Sequence, residues 1–300
     1  MRGVTLTVGT PICALALFAI VIAGCGSTPT GGAGGDGGGE AGISNPADTA
    51  RAVDLSVSPS PDAAPDLARS DAASPPAPNG TIVPLYTDPT DPSWAAVVAA
   101  HRAHPTVPIR AIINPNSGPG AARDASYAVG IATLDNAGIT VLGYVATTYG
   151  ARPKAAVQME IDSYKAWYPA LRGIFFDEMS STAGQESYYL ALANYARNAG
   201  CPVTVGNPGT ETLPSYVATV DTLLIYEDSG VPALNTLGGW HRQYPSSHFG
   251  VIPYNVPALD AAFIASARPL VGFIYLTNDN VPNPWDSLSG YFAALLGALE

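Results

Sequence analysis

The 300-residue chain is short of cysteine, of basic residues and of charge in general. Its three cysteines stand at positions 13, 25 and 201. Only Cys201 falls in the aromatic-rich stretch from residue 81 onward, so no disulfide can form within that stretch. No histidine lies near Cys201 in sequence to activate it, and a small buried residue ahead of a strand is the simpler reading. Lysine and arginine number 13 against 24 acids, and residues 81–300 hold 10 of those bases and 17 of those acids. Without a basic stripe, that balance argues against a nucleic-acid partner. The histidines (His101, His104, His241, His248) show no ligand spacing with a carboxylate, so no metal site is expected. No dinucleotide fingerprint follows the first strand, the Gly/Pro run at 114–120 lacks the Lys-Ser/Thr of a phosphate loop, and no Gly-x-Ser-x-Gly elbow occurs. No cofactor is expected.

Residues 26–80 lack Phe, Trp and Tyr altogether and carry the run Gly-Gly-Ala-Gly-Gly-Asp-Gly-Gly-Gly (31–39). Such a segment buries too little apolar surface to offset chain entropy and reads as a flexible linker. Ahead of it, residues 1–24 read as an export signal, with Arg2 at the start and an apolar stretch from Pro11 to Ala23. The stretch ends in Ile22-Ala23-Gly24-Cys25, which resembles the lipobox of bacterial lipoproteins. It is short for a membrane span. Cleavage would leave Cys25 as a lipidated first residue, anchoring the chain at the cell envelope with no other membrane contact. An ordinary signal peptide with an incidental Cys25 is the alternative.

Residues 81–300 are long enough for one large core. Short apolar runs predict strands at 81–86, 108–114, 140–148, 171–178, 202–207, 222–227, 249–255 and 271–277. Helical patterns fall between them at 92–104, 124–138, 154–169, 185–200, 233–244, 258–267 and 288–299, with a short helix near 213–218. The strands are nearly continuous apolar runs, as expected where both faces are buried. Eight β/α pairs point to a (β/α)₈ TIM barrel, with a doubly wound open sheet as the rival. The domain is expected to act as a monomer.

Polar residues gather at the strand ends, where parallel α/β folds do their chemistry. Asp177 and Glu178 close Gly-Ile-Phe-Phe (173–176), and Glu227 closes Leu-Leu-Ile-Tyr (223–226). Two adjacent acids exceed what a helix cap needs. Strand alternation sends Asp177 and Glu178 to different sides, so one of them should face the reacting carbon. Around these acids the strand ends offer Tyr86, Asn114, Tyr144, Thr147, Tyr149, Asn207, Tyr254, Asn255 and Tyr275, with Trp285 in the loop after the eighth strand. Sugars suit such a mouth, because hydroxyls pair with amides and acids while C–H faces stack on rings. Cleaving a glycosidic bond needs two carboxyl groups: one to protonate the leaving oxygen, the other to meet the cationic carbon. Asp177 and Glu227 are the candidates, in either assignment, with Glu178 as tuner or hydroxyl ligand. A carbohydrate-binding or envelope barrel without catalysis is the reading from another class.

The chain resembles the spherulin-4 family (spherulation-specific family 4), which is grouped with glycoside hydrolase family 135. The resemblance covers about residues 82–290. It rests on Val-Pro-Leu-Tyr (83–86), Ile-Ile-Asn-Pro-Asn-Ser-Gly-Pro-Gly (112–120), Gly-Tyr-Val-Ala-Thr-Thr-Tyr-Gly (143–150), Gly-Ile-Phe-Phe-Asp-Glu (173–178), Asn-Pro-Gly-Thr (207–210) and Glu227. It implies a (β/α)₈ barrel and endo-hydrolysis of an α-1,4-linked N-acetylgalactosamine-containing polysaccharide, such as galactosaminogalactan. The family's functional acids fall on Asp177, Glu178 and Glu227. Partial deacetylation makes such a polymer cationic, which would suit an acidic domain.

Overall fold

The structure, a computed structural model, describes residues 79–300. The leader, Cys25 and nearly all of the expected linker lie outside the described residues. Eight parallel strands pair in chain order: β1 (Thr81–Leu85), β2 (Ile109–Ile113), β3 (Thr140–Ala146), β4 (Gly173–Asp177), β5 (Val203–Gly206), β6 (Thr222–Tyr226), β7 (Phe249–Val251) and β8 (Phe273–Ile274). Gly80 closes the ring: its N–H donates to Gly272 at 2.8 Å, and its carbonyl accepts from Ile274 at 3.0 Å. The sheet is therefore a barrel, not an open doubly wound sheet, and it begins one residue before 81. Apart from the half-buried Val203, the isoleucine, valine, leucine and phenylalanine residues of the strands are buried on both faces, which accounts for their unbroken apolar runs.

Six α-helices cover the barrel: α1 (Pro92–Ala103), α2 (Ala125–Asn136), α3 (Lys154–Trp167), α4 (Glu186–Asn198), α5 (Ala261–Ala267) and α6 (Phe292–Leu299). Asp91 and Asp124 cap α1 and α2 by accepting backbone N–H groups of the first turn. Asp260 caps α5 in the same way. Gly143 lets α3 approach the sheet, since a Cβ there would lie 2.9 Å from the Tyr164 ring.

Two expected helices are absent. Residues 233–244 form turns and a short 3₁₀ segment, Trp240–Gln243. Their pattern is interrupted by Gly238-Gly239, each glycine costing a helix interior about 1 kcal/mol, and Gly239 itself has a non-helical ψ of −123°. After β5 only the 3₁₀ turn Pro214–Tyr216 forms. β7 is three residues long because Pro253 offers no N–H to extend the ladder. His101 is buried on the inner face of α1, and Cys201 is buried as expected. Among the described residues no helix is long and apolar enough to cross a membrane, and no group of three or more His, Cys, Asp or Glu could hold a metal ion.

Candidate active site

The C-terminal ends of β4, β5 and β6 bring three side chains together. Asp177 ends β4, Asn207 follows β5 and Glu227 follows β6. The Asn207 amide nitrogen donates to Asp177 Oδ1 at 2.8 Å and to Glu227 Oε2 at 2.6 Å. Those two carboxylate oxygens therefore lie no farther apart than the two bonds laid end to end, about 5.4 Å. In this orientation the two N–H groups of the amide each meet one carboxyl group. Backbone pairing fixes Asn207 in place: its N–H donates to Phe176 and its carbonyl accepts from Met179, both at 2.9 Å. Glu227 is held from its other oxygen by the Trp285 indole N–H at 3.1 Å. A register shift between Leu224 and Tyr226 precedes Glu227, the kind of irregularity that re-aims a strand-end side chain.

Tyr144, half-buried on β3, directs its hydroxyl at Asp177. Tyr86 meets Tyr144 edge to face at 5.9 Å; burial raises its pKa, and the charge of Asp177 adds to the effect. Burial raises the pKa of Asp177, opposed by hydrogen bonds from Tyr144, Asn207 and the Glu178 backbone N–H. Burial also raises Glu227, to about 7, with the charge of Asp177 adding to the effect and the N–H groups of Asn207 and Trp285 opposing it. Asp177 thus has three donors favouring its ionised form against the charge of Glu178, and Glu227 has two against the charge of Asp177. The additional donor on Asp177 favours Glu227 as the protonated member of the pair.

Glu178 turns away from this pair. Its backbone is left-handed (φ 50°), and its Oε2 accepts from the Thr148 N–H at 3.2 Å. Tyr149, beside it on the rim, is 64% exposed and also left-handed at φ 54°. Tyr254 stands edge-on to Trp285 at 6.2 Å.

Four expected ligands of substrate occupy other places. Thr147 and Tyr275 are fully buried, and their hydroxyls serve the protein: Thr147 meets the Asp177 and Glu178 carbonyls, and Tyr275 accepts from the Ser289 N–H. The Asn114 amide oxygen turns into its own loop, accepting from Gly118 at 2.9 Å. Asn255 lies exposed, its amide bonded to Ser229. Trp285, expected as an open stacking platform, is instead 5% exposed with its N–H on Glu227. Sequence reasoning missed Tyr189, whose hydroxyl reaches Thr147 and Ser180 beneath the turn. As a core residue of α4, it carries no signal in the chain that marks it. A groove of about 750 Å³ between α1 and α2, lined by Trp94, Val98 and Val129, lies outside the barrel and apart from the acids.

Closed parallel strands with a carboxyl pair at their C-terminal mouth define a (β/α)₈ barrel of the kind that houses catalytic sites there. A family model described as Spherulation-specific family 4 matches residues 80–299, and the chain belongs to that family. It is 40% identical over 168 residues to Spherulin-4 of Physarum polycephalum, a match covering 55% of this chain and 50% of that protein. The match thus spans about half the length of that relative. The crystal structure of Aspergillus clavatus Sph3 in complex with GalNAc superposes with a TM-score of 0.65 at 25% identity, covering 74% of this chain and 98% of that one.

Proposed function

We propose that the chain is a glycoside hydrolase that cleaves within an α-1,4-linked, N-acetylgalactosamine-containing polysaccharide. The observation that carries this reading is the single Asn207 amide spanning Asp177 and Glu227. The resemblance to Sph3, solved with GalNAc, supports the substrate class. Ionised Asp177 attacks the anomeric carbon while protonated Glu227 gives its proton to the leaving oxygen. The glycosyl ester on Asp177 is then hydrolysed by a water that returns its proton to Glu227. Retention of configuration is favoured, because retaining enzymes hold their carboxyls about 5–5.5 Å apart and inverting ones about 6.5–9.5 Å. Tyr149 and Tyr254, at the rim, offer ring faces to neighbouring sugars. A lipid on Cys25 would hold the enzyme at the envelope, with residues 26–78 as tether.

The test incubates the full chain with galactosaminogalactan and counts reducing ends. Release that is lost in both Asp177→Asn and Glu227→Gln supports the reading. Binding without release would make the protein a carbohydrate-binding barrel, and parental turnover by either variant would refute the assignment.

A further inference from the structure

Thr147 and Tyr189 stand behind the acids and make no contact with the mouth. Thr147 is fully buried at the end of β3. Its Oγ1 lies 2.8 Å from the Asp177 carbonyl, 2.9 Å from the Glu178 carbonyl and 3.1 Å from the Tyr189 hydroxyl. Tyr189, fully buried on α4, in turn lies 2.8 Å from the Ser180 N–H. The direction of this chain is fixed by counting protons. A backbone N–H can only donate, so Ser180 donates to Tyr189. The Tyr189 proton then has Thr147 Oγ1 as its acceptor, and the Thr147 proton goes to the carbonyls of Asp177 and Glu178. The Thr147 N–H adds a bond to the Asp177 carbonyl at 3.0 Å.

The segment held this way is strained. Glu178 is a non-glycine residue at φ 50°, and the facing Thr148 and Tyr149 are at φ 50° and 54°. The two turns grip each other through the Tyr149 N–H on the Glu178 carbonyl at 2.7 Å. Residues in that region persist only where their surroundings over-determine them, and they cluster at functional sites. The left-handed step at Glu178 separates two adjacent acids, leaving Asp177 facing Asn207 and Tyr144 while Glu178 turns to Thr148.

We infer that Thr147 and Tyr189 are positioning residues for the carboxylate of Asp177, acting through the backbone of its turn. The inference rests on the catalytic role proposed for Asp177. A nucleophile displaced by an ångström loses up to ~10²-fold in rate with little change in substrate binding.

Thr147→Val in the full chain keeps the shape of the side chain and deletes the hydroxyl. Assayed on galactosaminogalactan beside Asp177→Asn, it should lower kcat about tenfold or more while KM stays within about twofold. Thr147→Ser should restore kcat. Tyr189→Phe should match Thr147→Val, and the double variant should be no worse than either alone, because both break one chain. An inactive Asp177→Asn together with Thr147→Val at the parental kcat would overturn the inference alone, as would a loss confined to KM or no rescue by serine. An active Asp177→Asn would remove both the inference and the role on which it stands.

Discussion

Glu227→Gln separates the chemistry of the site from its electrostatics. The carboxyl of Glu227 is raised from its ordinary 4.5 to about 7 by burial and by Asp177. As a general acid it must be protonated, so the kcat/KM of the parent should fall about tenfold between pH 8 and pH 9, where Glu227 is mostly ionised. Glutamine can donate no proton to the leaving oxygen, and kcat should drop ~10²–10⁴-fold. A substrate with an activated aryl leaving group should recover most of that loss. Stability should move the other way. A carboxyl whose folded pKa is raised contributes stability that is present below its unfolded pKa and lost as pH rises through the folded value. Ionising Glu227 in the fold therefore costs of the order of 3 kcal/mol by pH 9, and glutamine escapes that cost. Glutamine also turns an NH₂ toward Asn207 or Trp285, whose N–H then lacks an acceptor, at about 1 kcal/mol. At pH 5, already above the ordinary value of 4.5, the two effects nearly cancel, and the variant should match the parent to within about 1 kcal/mol. At pH 9 it should be more stable by about 2 kcal/mol, or ~4–8 °C in Tm for a domain of this size. Thermal melts across that range provide the measurement. A stability difference that stays constant from pH 5 to pH 9 would refute the placement of the proton on Glu227.

Trp285→Phe keeps a ring against Tyr254 and Tyr275 but deletes the donor that favours ionised Glu227. Its alkaline limb should shift up by about half a pH unit in the pH–rate profile, and a downward shift would contradict the geometry. Gly173→Ala should destabilise the barrel without touching the chemistry. Its Cβ would meet the Val203 carbonyl at 2.3 Å, a backbone atom that cannot move aside, at roughly 3 kcal/mol and about 6–12 °C in Tm. An unchanged melt would mean the strands are more loosely packed than described. Cys25→Ser should release the protein from the membrane fraction if lipid is the anchor, and a variant that still sediments with membranes would end the tether proposal.

The barrel was legible because its information is local. Short apolar runs, each closed by Gly, Pro or a polar residue, recur eight times, and strands buried on both faces need nothing subtler. The acids were legible for the same reason, since carboxylates straight after two buried strands lie at the C-terminal end of the barrel. Legibility failed where a pattern resembled a helix but its residues did not support one, as at Gly238-Gly239. It failed again for polar side chains at strand ends. Residues near the C-terminal strand ends can face the mouth, as Tyr144 does, or point into the protein, as Thr147 and Tyr275 do. Trp285 was placed correctly in its loop and wrongly as an open platform, because nothing local says whether an indole N–H will find a buried partner.

The sequence by itself determined that this is a barrel with Asp177, Glu178 and Glu227 at one end, since strand period and order follow from side-chain burial along the chain. Only the tertiary structure decided which acid faces which. Asn207 joins Asp177 to Glu227 across three strands, a left-handed turn sends Glu178 elsewhere, and Trp285 reaches Glu227 from 58 residues away. Proton sharing depends on distances of a few ångströms between groups far apart in the chain, and strand periodicity does not encode those distances.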